Sequence, residues 1–266
     1  MAAKPASTEP RWAHWRLDHD LDGIAWLTLD HADEKVNSLG TPVLQELEAI
    51  VSELESEVPT GLVLMSGKNK SFIVGADVRE FDQTNDVSEL EAQVGRVHEL
   101  FQRIENLKFP TVVAFEGYCL GGGLELSLCF DWRIALDADH PPLGFPEGNL
   151  GIYPGFGGSG RAIETMGGLQ AMQIMLTGRM LRARAARGLN LIDQTVSRHG
   201  SLHWSARNAV LKKKKSKEPG LMARATTWGP VRKFLAGKMR KKTASKANPK
   251  HYPAPFELID AFEAHG

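Results

Sequence analysis

The chain has 266 residues, 42% of them apolar, with 32 Lys/Arg balanced by 32 Asp/Glu. This length carries one sizeable core, or a core with an appendage, and the zero formal net charge excludes the overall basic balance of a nucleic-acid or membrane-surface binder. The balance hides an asymmetry: residues 201–266 hold fifteen Lys/Arg against four Asp/Glu, so the first 200 residues are net acidic.

Taken in chain order, residues 1–10 read as a disordered start without the apolar segment of a secretory signal. RWAHWRLDH and GIAWLTLDH read as two strands that turn at Asp20–Gly23. A helix follows, with Thr41 as N-cap, Pro42 at N1 and one apolar face of Val43, Leu44, Leu47, Ile50, Val51 and Leu54. GLVLMSG (61–67) is a buried strand, and SFIVGADVREF (71–81) is an apolar run that breaks at Gly75. Ser88 to Leu107 has helical periodicity, Pro110 to Phe115 is a further strand, a helix opens near Gly122, and WRIAL (132–136) is a strand. The region from Gly157 to Arg187 is mostly helical, and NLIDQTV (190–196) reads as a last strand. Strands alternating with amphipathic helices define an α/β domain, expected over 11–200. Beyond it, LKKKKSKEPG and KMRKKTASKANPKHYPAP read as basic connector flanking a helical piece at Pro230–Ala236, with a last amphipathic stub, PFELIDAFEAHG.

Several familiar motifs fail on context. GFGGSG (155–160) fits the dinucleotide pattern, but Pro154 stands where a strand should end, so no NAD site is expected there. SGKNKS lacks the first glycine of a phosphate loop, and Arg161 interrupts a nucleophile elbow around Ser159. His140 with Asp137 and Asp139 reads as a polar turn, and no metal is expected. Cys119 and Cys129 have no zinc or redox spacing and fit a reducing, cytoplasmic setting. The Lys/Arg runs lack interleaved aromatics and read as a solvated linker first and a phosphate or anionic-lipid contact second; neither nucleic acid nor a membrane is an expected partner.

Three pieces remain: IVGAD (73–77), CLGGGLE (119–125) and FPEGNLGIYPGFGG (145–158). Glycines at a strand-to-helix turn let a ligand approach backbone N–H groups at the positive end of the helix. Equally, they serve a plain tight turn. Gly75–Ala76–Asp77 offers a second exposed amide, and two such amides can hold one carbonyl oxygen. Glu125 falls in the first turn of an apolar helix, where the dipole alone favours an acid, yet its leucine neighbours imply burial and a raised pKa. Glu147 lies in a Pro–Glu–Gly turn that could equally face solvent. Together, two carboxylates beside two amide donors point to acid–base chemistry next to a polarised carbonyl.

With DEKVNSL, SFIVGADVREF, GYCLGGGLELSL and GFPEGNLGIYPGFGG in this order, the chain resembles the crotonase (enoyl-CoA hydratase/isomerase) family over Trp12 to Val196. It looks most like the N-terminal half of the multifunctional fatty-acid β-oxidation alpha subunits, whose linker is similar to the basic segment 201–266. The resemblance implies a spiral of repeated ββα units with a helical C-terminal extension, truncated before an NAD-binding dehydrogenase half. It implies Glu125 and Glu147 as catalytic acids, and the backbone N–H groups of Ala76 and Gly122 as an oxyanion hole for a coenzyme A thioester. The implied activity is hydration of 2-trans-enoyl-CoA, with 3,2-enoyl-CoA isomerisation as a second reaction and no cofactor. Val74 and Tyr153 are expected to border the site, and segment 77–94 the acyl pocket. A full-length protein would pair with a thiolase beta subunit; this piece alone is expected to be a monomer. The competing readings are another crotonase-fold reaction on acyl-CoA, such as thioester hydrolysis or decarboxylation, and a non-catalytic acyl-CoA-binding fragment.

Overall fold

A computed structural model describes residues 11–81, 87–137 and 143–266. The chain opens with a hairpin of β1 (Trp15–His19) and β2 (Ile24–Leu29). The Asp20 carboxylate closes its turn by accepting the N–H groups of Asp22 and Ile24, and Gly23 takes the left-handed conformation at φ 73°. Helix α1 (Thr41–Ser56) buries Val43, Leu47, Ile50, Val51 and Leu54. Its cap differs from the sequence reading. Gly40 holds the cap position without a side-chain bond, Thr41 is already helical, and the Glu80 carboxylate accepts the Thr41 N–H at 2.8 Å. A distant acid thus takes the capping role that a local hydroxyl was expected to fill.

From here three successive units repeat one pattern. Strand β3 (Gly61–Ser66) is followed by β4 (Ser71–Ile73), the short α2 (Val78–Phe81) and α3 (Val87–Glu105). Strand β5 (Thr111–Phe115) is followed by β6 (Tyr118–Leu120) and α4 (Gly122–Ser127). Strand β7 (Trp132–Leu136) is followed by β8 (Leu143–Gly144), a 3₁₀ turn (Pro146–Leu150) and α5 (Gly158–Met166). The first strand of each unit joins a large sheet and the second a small one, which is the spiral that the ββα reading anticipates. After α6 (Gly168–Thr177) and α7 (Ala183–Gly188), β9 (Gln194–Val196) completes the large sheet in the order β1-β2-β3-β5-β7-β9, parallel throughout apart from the β1–β2 pair. The small sheet is β4-β6-β8, also parallel.

Side chains alternate across a strand, so the large sheet divides its apolar residues between two cores. Ala25, Leu27, Leu29, Leu62, Leu64, Val113 and Phe115 enter the main core with α1 and α3. Ile24, Trp26, Val63, Val112, Ala114 and Ile134 face the other way, onto Leu202, Ala206, Ala209 and Val210 of α8 (Gly200–Leu211). Helix α8 therefore closes one face of the sheet, and packing continues across the domain boundary expected at residue 200. Contact is close: a Cβ on Gly61 would stand 2.4 Å from Val210 Cγ1.

The basic region is also more ordered than connector composition implies. After α9 (Leu221–Ala225), helix α10 runs over Gly229–Ala244, well past Ala236, and packs on α11 (Ala254–His265). The lysines extend the helix because Lys and Arg are good helix formers and stay on its solvent side, while Ala236 is buried and Arg240 pairs with Asp260 and Glu263 of α11. Leu258, Ile259 and Phe262 of α11 join the main core. Gly168 opens α6 directly under Phe262, with no room for a Cβ. Phe262→Ala should therefore lower stability by about 3–5 kcal/mol, the usual loss for a buried phenylalanine. Urea unfolding checks this, and an unchanged midpoint would show that α11 is a passive appendage. Residues 1–10 and 138–142, where a disordered start and most of the polar DADHPP turn were expected, lie outside the described residues. Asp137, at the start of that turn, pairs with Arg184.

Candidate active site

All three units bring the site together at the ends of the small sheet, Ala76 after β4, Gly122 and Glu125 after β6, and Glu147 after β8. Strand β6 ends at Leu120 and α4 begins two residues later, a change of direction carried by Gly121 at φ 50° and ψ −127°. No L side chain adopts this conformation readily, and a Cβ there would also stand 2.7 Å from Glu147 Oε1. Gly123 is needed for packing, because a Cβ would come within 2.5 Å of the Ile73 carbonyl oxygen on β4. Between them, Gly122 leaves space: a Cβ there would lie 3.3 Å from the Ala76 nitrogen and 3.1 Å from the Phe156 ring.

The Ala76 amide is held by the stretch preceding α1. Leu39 and Ala76 form a parallel bridge in which Leu39 N–H donates to Gly75 O and Asp77 N–H to Leu39 O. Asn37, fully buried, anchors that stretch by donating to the carbonyls of Leu29 and Phe72, while its own Oδ1 accepts His31 N–H. The Val74 and Asp77 N–H groups are taken up by the Asn37 and Leu39 carbonyls, while Ala76 N–H has no acceptor among the described residues. Gly122 N–H, in the first turn of α4, is equally unpaired. Two free amides thus converge on one small space.

Both carboxylates reach the same space. Glu125 is 2% exposed, and its Oε2 accepts the N–H groups of Phe156 at 2.8 Å and Gly158 at 2.7 Å. Burial, reinforced by the nearby Glu147 charge, pushes its pKa up to about 8 against the pull of those two amides. Glu147 does not face solvent, the alternative left open by its turn sequence. It is 8% exposed, its Oε2 has no hydrogen-bond partner among the described residues, and burial pushes its pKa up to about 7. The 3₁₀ turn that carries it is seated on α6, where a Cβ on Gly148 would meet the Met175 carbonyl oxygen at 2.8 Å.

Ala76, Gly122, Glu125 and Glu147 all line one pocket, with Val74 and Tyr153 also on its wall. Residues 82–86 of the segment 77–94 lie outside the described residues; among the rest only Val94 borders this pocket, while Asp77, Glu80, Leu90 and Gln93 line an adjoining groove between α1 and α3 that shares Ala76, Val94 and Phe156. Three contributors were not singled out by sequence. The amides of Phe156 and Gly158, inside the rejected glycine motif, hold Glu125 across 31 and 33 residues. Asn37 anchors the stretch that bridges to Ala76, and its one available signal was its place in the DEKVNSL motif. Among the described residues, no helix is long and apolar enough to cross a membrane.

Two free amides facing two buried carboxyls of raised pKa are an arrangement able to polarise a carbonyl and to move a proton beside it. The chain belongs to the enoyl-CoA hydratase/isomerase family, which matches residues 20–228. It is 38% identical over 253 residues to the fatty acid oxidation complex subunit alpha of Aliivibrio fischeri, covering 93% of this chain and 36% of that protein. The same subunit of Vibrio campbellii is 36% identical over 256 residues, covering 94% of this chain and again 36% of the relative. The chain thus spans about a third of the length of these relatives. Among solved structures, the enoyl-CoA hydratase of Bacillus anthracis shares the fold, with a TM-score of 0.69 at 24% identity over 95% of this chain and 92% of that one. The enoyl-CoA hydratase of Thermoplasma volcanium does so with a TM-score of 0.68 at 22% identity, over 94% and 91%.

Proposed function

We propose that this chain adds water across the C2=C3 bond of a 2-trans-enoyl-CoA, with Glu125 and Glu147 as the acid–base pair and the N–H groups of Ala76 and Gly122 as the oxyanion hole. The observation that carries the reading is the convergence of two unpaired amides and two buried carboxyls on one pocket. A thioester oxygen accepting both N–H groups draws electrons from the double bond and makes C3 electrophilic. One water sits between the two carboxyls. The ionised carboxylate takes its proton as the hydroxyl bonds to C3, and a proton passes to C2, giving the 3-hydroxyacyl thioester. Moving a double bond from C3–C4 to C2–C3 needs a single base, assigned here to Glu147, so isomerisation is the second activity. Membership of the family and the likeness to alpha subunits of fatty acid oxidation complexes support a place in β-oxidation, within a multi-subunit assembly when part of a longer protein.

No cofactor enters this reaction. The amides of Phe156 and Gly158 in the glycine motif are spent on Glu125 rather than free for a pyrophosphate. Both cysteines are buried and unpaired, which supports a reducing, cytoplasmic setting.

Hydration of crotonyl-CoA, followed at the enoyl thioester absorbance, tests the reading; binding without turnover would favour a non-catalytic acyl-CoA module. The pH dependence is a further expectation. With carboxyl pKa values near 7 and 8 the pair holds one proton between them. Below that window both groups are protonated and no base remains; above it both are ionised and no acid remains. Turnover should therefore follow a bell centred at about pH 7–8, and a flat profile from pH 6 to 9 would remove the pair from the mechanism.

A further inference from the structure

The two amides that hold Glu125 lie on one short loop, and that loop is fastened from outside. On the inner side, Phe156 N–H and Gly158 N–H both point to Glu125 Oε2. On the outer side, the Phe156 carbonyl accepts Arg161 Nη1–H at 3.2 Å. The rest of the guanidinium reaches back to α3, where Nε and Nη2 donate to Glu105 Oε2 at 3.1 and 3.0 Å. The Arg161 side chain is 11% exposed, so this ion pair is largely shielded at the arginine end. Gly157, between the two donors, is left-handed at φ 83°, and a Cβ there would stand 2.7 Å from Arg161 Nη1. The guanidinium therefore packs directly on the turn. His98 of α3 adds a neighbouring tie, its Nε2 bonded to the Gly155 carbonyl at 2.5 Å.

We propose that Arg161 is a positioning residue for the acid–base pair: by fixing the Phe156 carbonyl to Glu105 it keeps both loop amides on Glu125 and selects the oxygen that is left for water. The inference deepens the hydratase reading and rests on it. Its geometric basis is that the Phe156–Gly157 peptide lies between the two donating peptides, so holding its carbonyl fixes the backbone from which both the Phe156 and the Gly158 N–H groups project. Its electrostatic basis is the charge nearby. Glu147 from the 3₁₀ turn, Cys129 at the end of α4, Arg161 from α5, and His98 and Glu105 from α3 surround Glu125 or its loop. Among them Arg161 favours the ionised form of Glu125, acting with the two amides against burial and Glu147. Losing Arg161 should raise the proton affinity of Glu125, the upper-titrating member of the pair, so the alkaline limb of the rate profile should move to higher pH.

The experiment compares R161Q, R161K and E105Q with the unaltered chain in crotonyl-CoA hydration across pH 6–10, with urea unfolding of each. R161Q should lower kcat at pH 7 by about tenfold to a hundredfold, the scale of a misplaced reacting group, with little change in KM. It should also move the alkaline limb upward by about one pH unit. R161K, which keeps the charge, should restore the position of the limb and part of kcat. E105Q, which loosens only the outer anchor, should change kcat in the same direction by less. A fall in stability with an unmoved alkaline limb would make Arg161 a structural tie between α3 and α5 and overturn the proposal, as would an unchanged kcat in R161Q. A carboxyl-carbon NMR titration with labelled glutamate, the Glu125 signal identified by its loss in E125Q, reads the same shift without turnover. If the unaltered chain fails to hydrate crotonyl-CoA, the functional reading fails; the positioning role still stands or falls on whether R161Q moves that titration.

Discussion

Glu147→Gln is expected to abolish hydration of a 2-enoyl-CoA and isomerisation of a 3-enoyl-CoA together, each by about three orders of magnitude, the scale of a lost general acid–base group. Glu125→Gln is expected to abolish hydration equally but to spare part of the isomerisation. Hydration needs one proton removed from water and another delivered to carbon, so it needs both groups. Isomerisation moves one proton between two carbons and can run on one base. Glutamine keeps the size of the side chain but cannot take up the proton, so the loss reports chemistry rather than packing. The fold should tolerate the change. Glu147 is buried with its pKa raised from 4.5 to about 7. The stability that its neutral form contributes is fully present below pH 4.5 and is lost as pH rises through about 7. An amide stays neutral, so the variant should gain on the unaltered chain by up to roughly 1.4 kcal/mol per pH unit across that window. Urea midpoints at pH 5 and pH 8 measure the gain. If Glu147→Gln keeps substantial activity in either reaction, Glu147 is not the principal acid–base residue.

Gly122→Ala is expected to reduce kcat by about a hundredfold to a thousandfold, comparable with deleting an oxyanion donor. The added methyl would sit 3.3 Å from the Ala76 nitrogen and 3.1 Å from the Phe156 ring. It would therefore occupy the space between the two amides that a thioester oxygen has to enter. Gly122 does not have the positive φ of Gly121, so alanine fits the backbone and circular dichroism should be unchanged. The matching control is Gly188→Ala, at the end of α7, where a Cβ meets nothing within 4 Å and turnover should stay normal. Near-normal turnover in Gly122→Ala would place the thioester elsewhere.

Much of the site was legible because its parts are local. The glycines of CLGGGLE announce a strand-to-helix turn with free amides, and Glu125 three residues on shares that helix, so backbone geometry alone links the two. The type of most elements before residue 200 followed for the same reason: a short apolar run reports a buried strand, as in WRIAL, and helical spacing reports an apolar face, as in the α1 stripe from Val43 to Leu54. The order of the four motifs was likewise open to a linear reading, and the ββα repeat followed from the resemblance those motifs carry.

What periodicity leaves undetermined is what covers a face and what satisfies a polar group. Connector composition hid both α8 and the full length of α10, because lysines on a solvent side look the same in a helix as in a tether. Glu147 could not be told from a solvated turn residue, since its burial depends on α6 and on the small sheet closing over it. The family of folds, the two carboxylates and the glycine-bearing turns can be read from the linear chain. Packing adds that Glu125 is gripped by two amides more than thirty residues away, that Asn37 ties the stretch bridging to Ala76 onto Leu29 and Phe72, and that burial raises the pKa of both carboxyls towards neutral pH. Those are properties of desolvation and of long-range hydrogen bonds, which exist only once distant segments have packed.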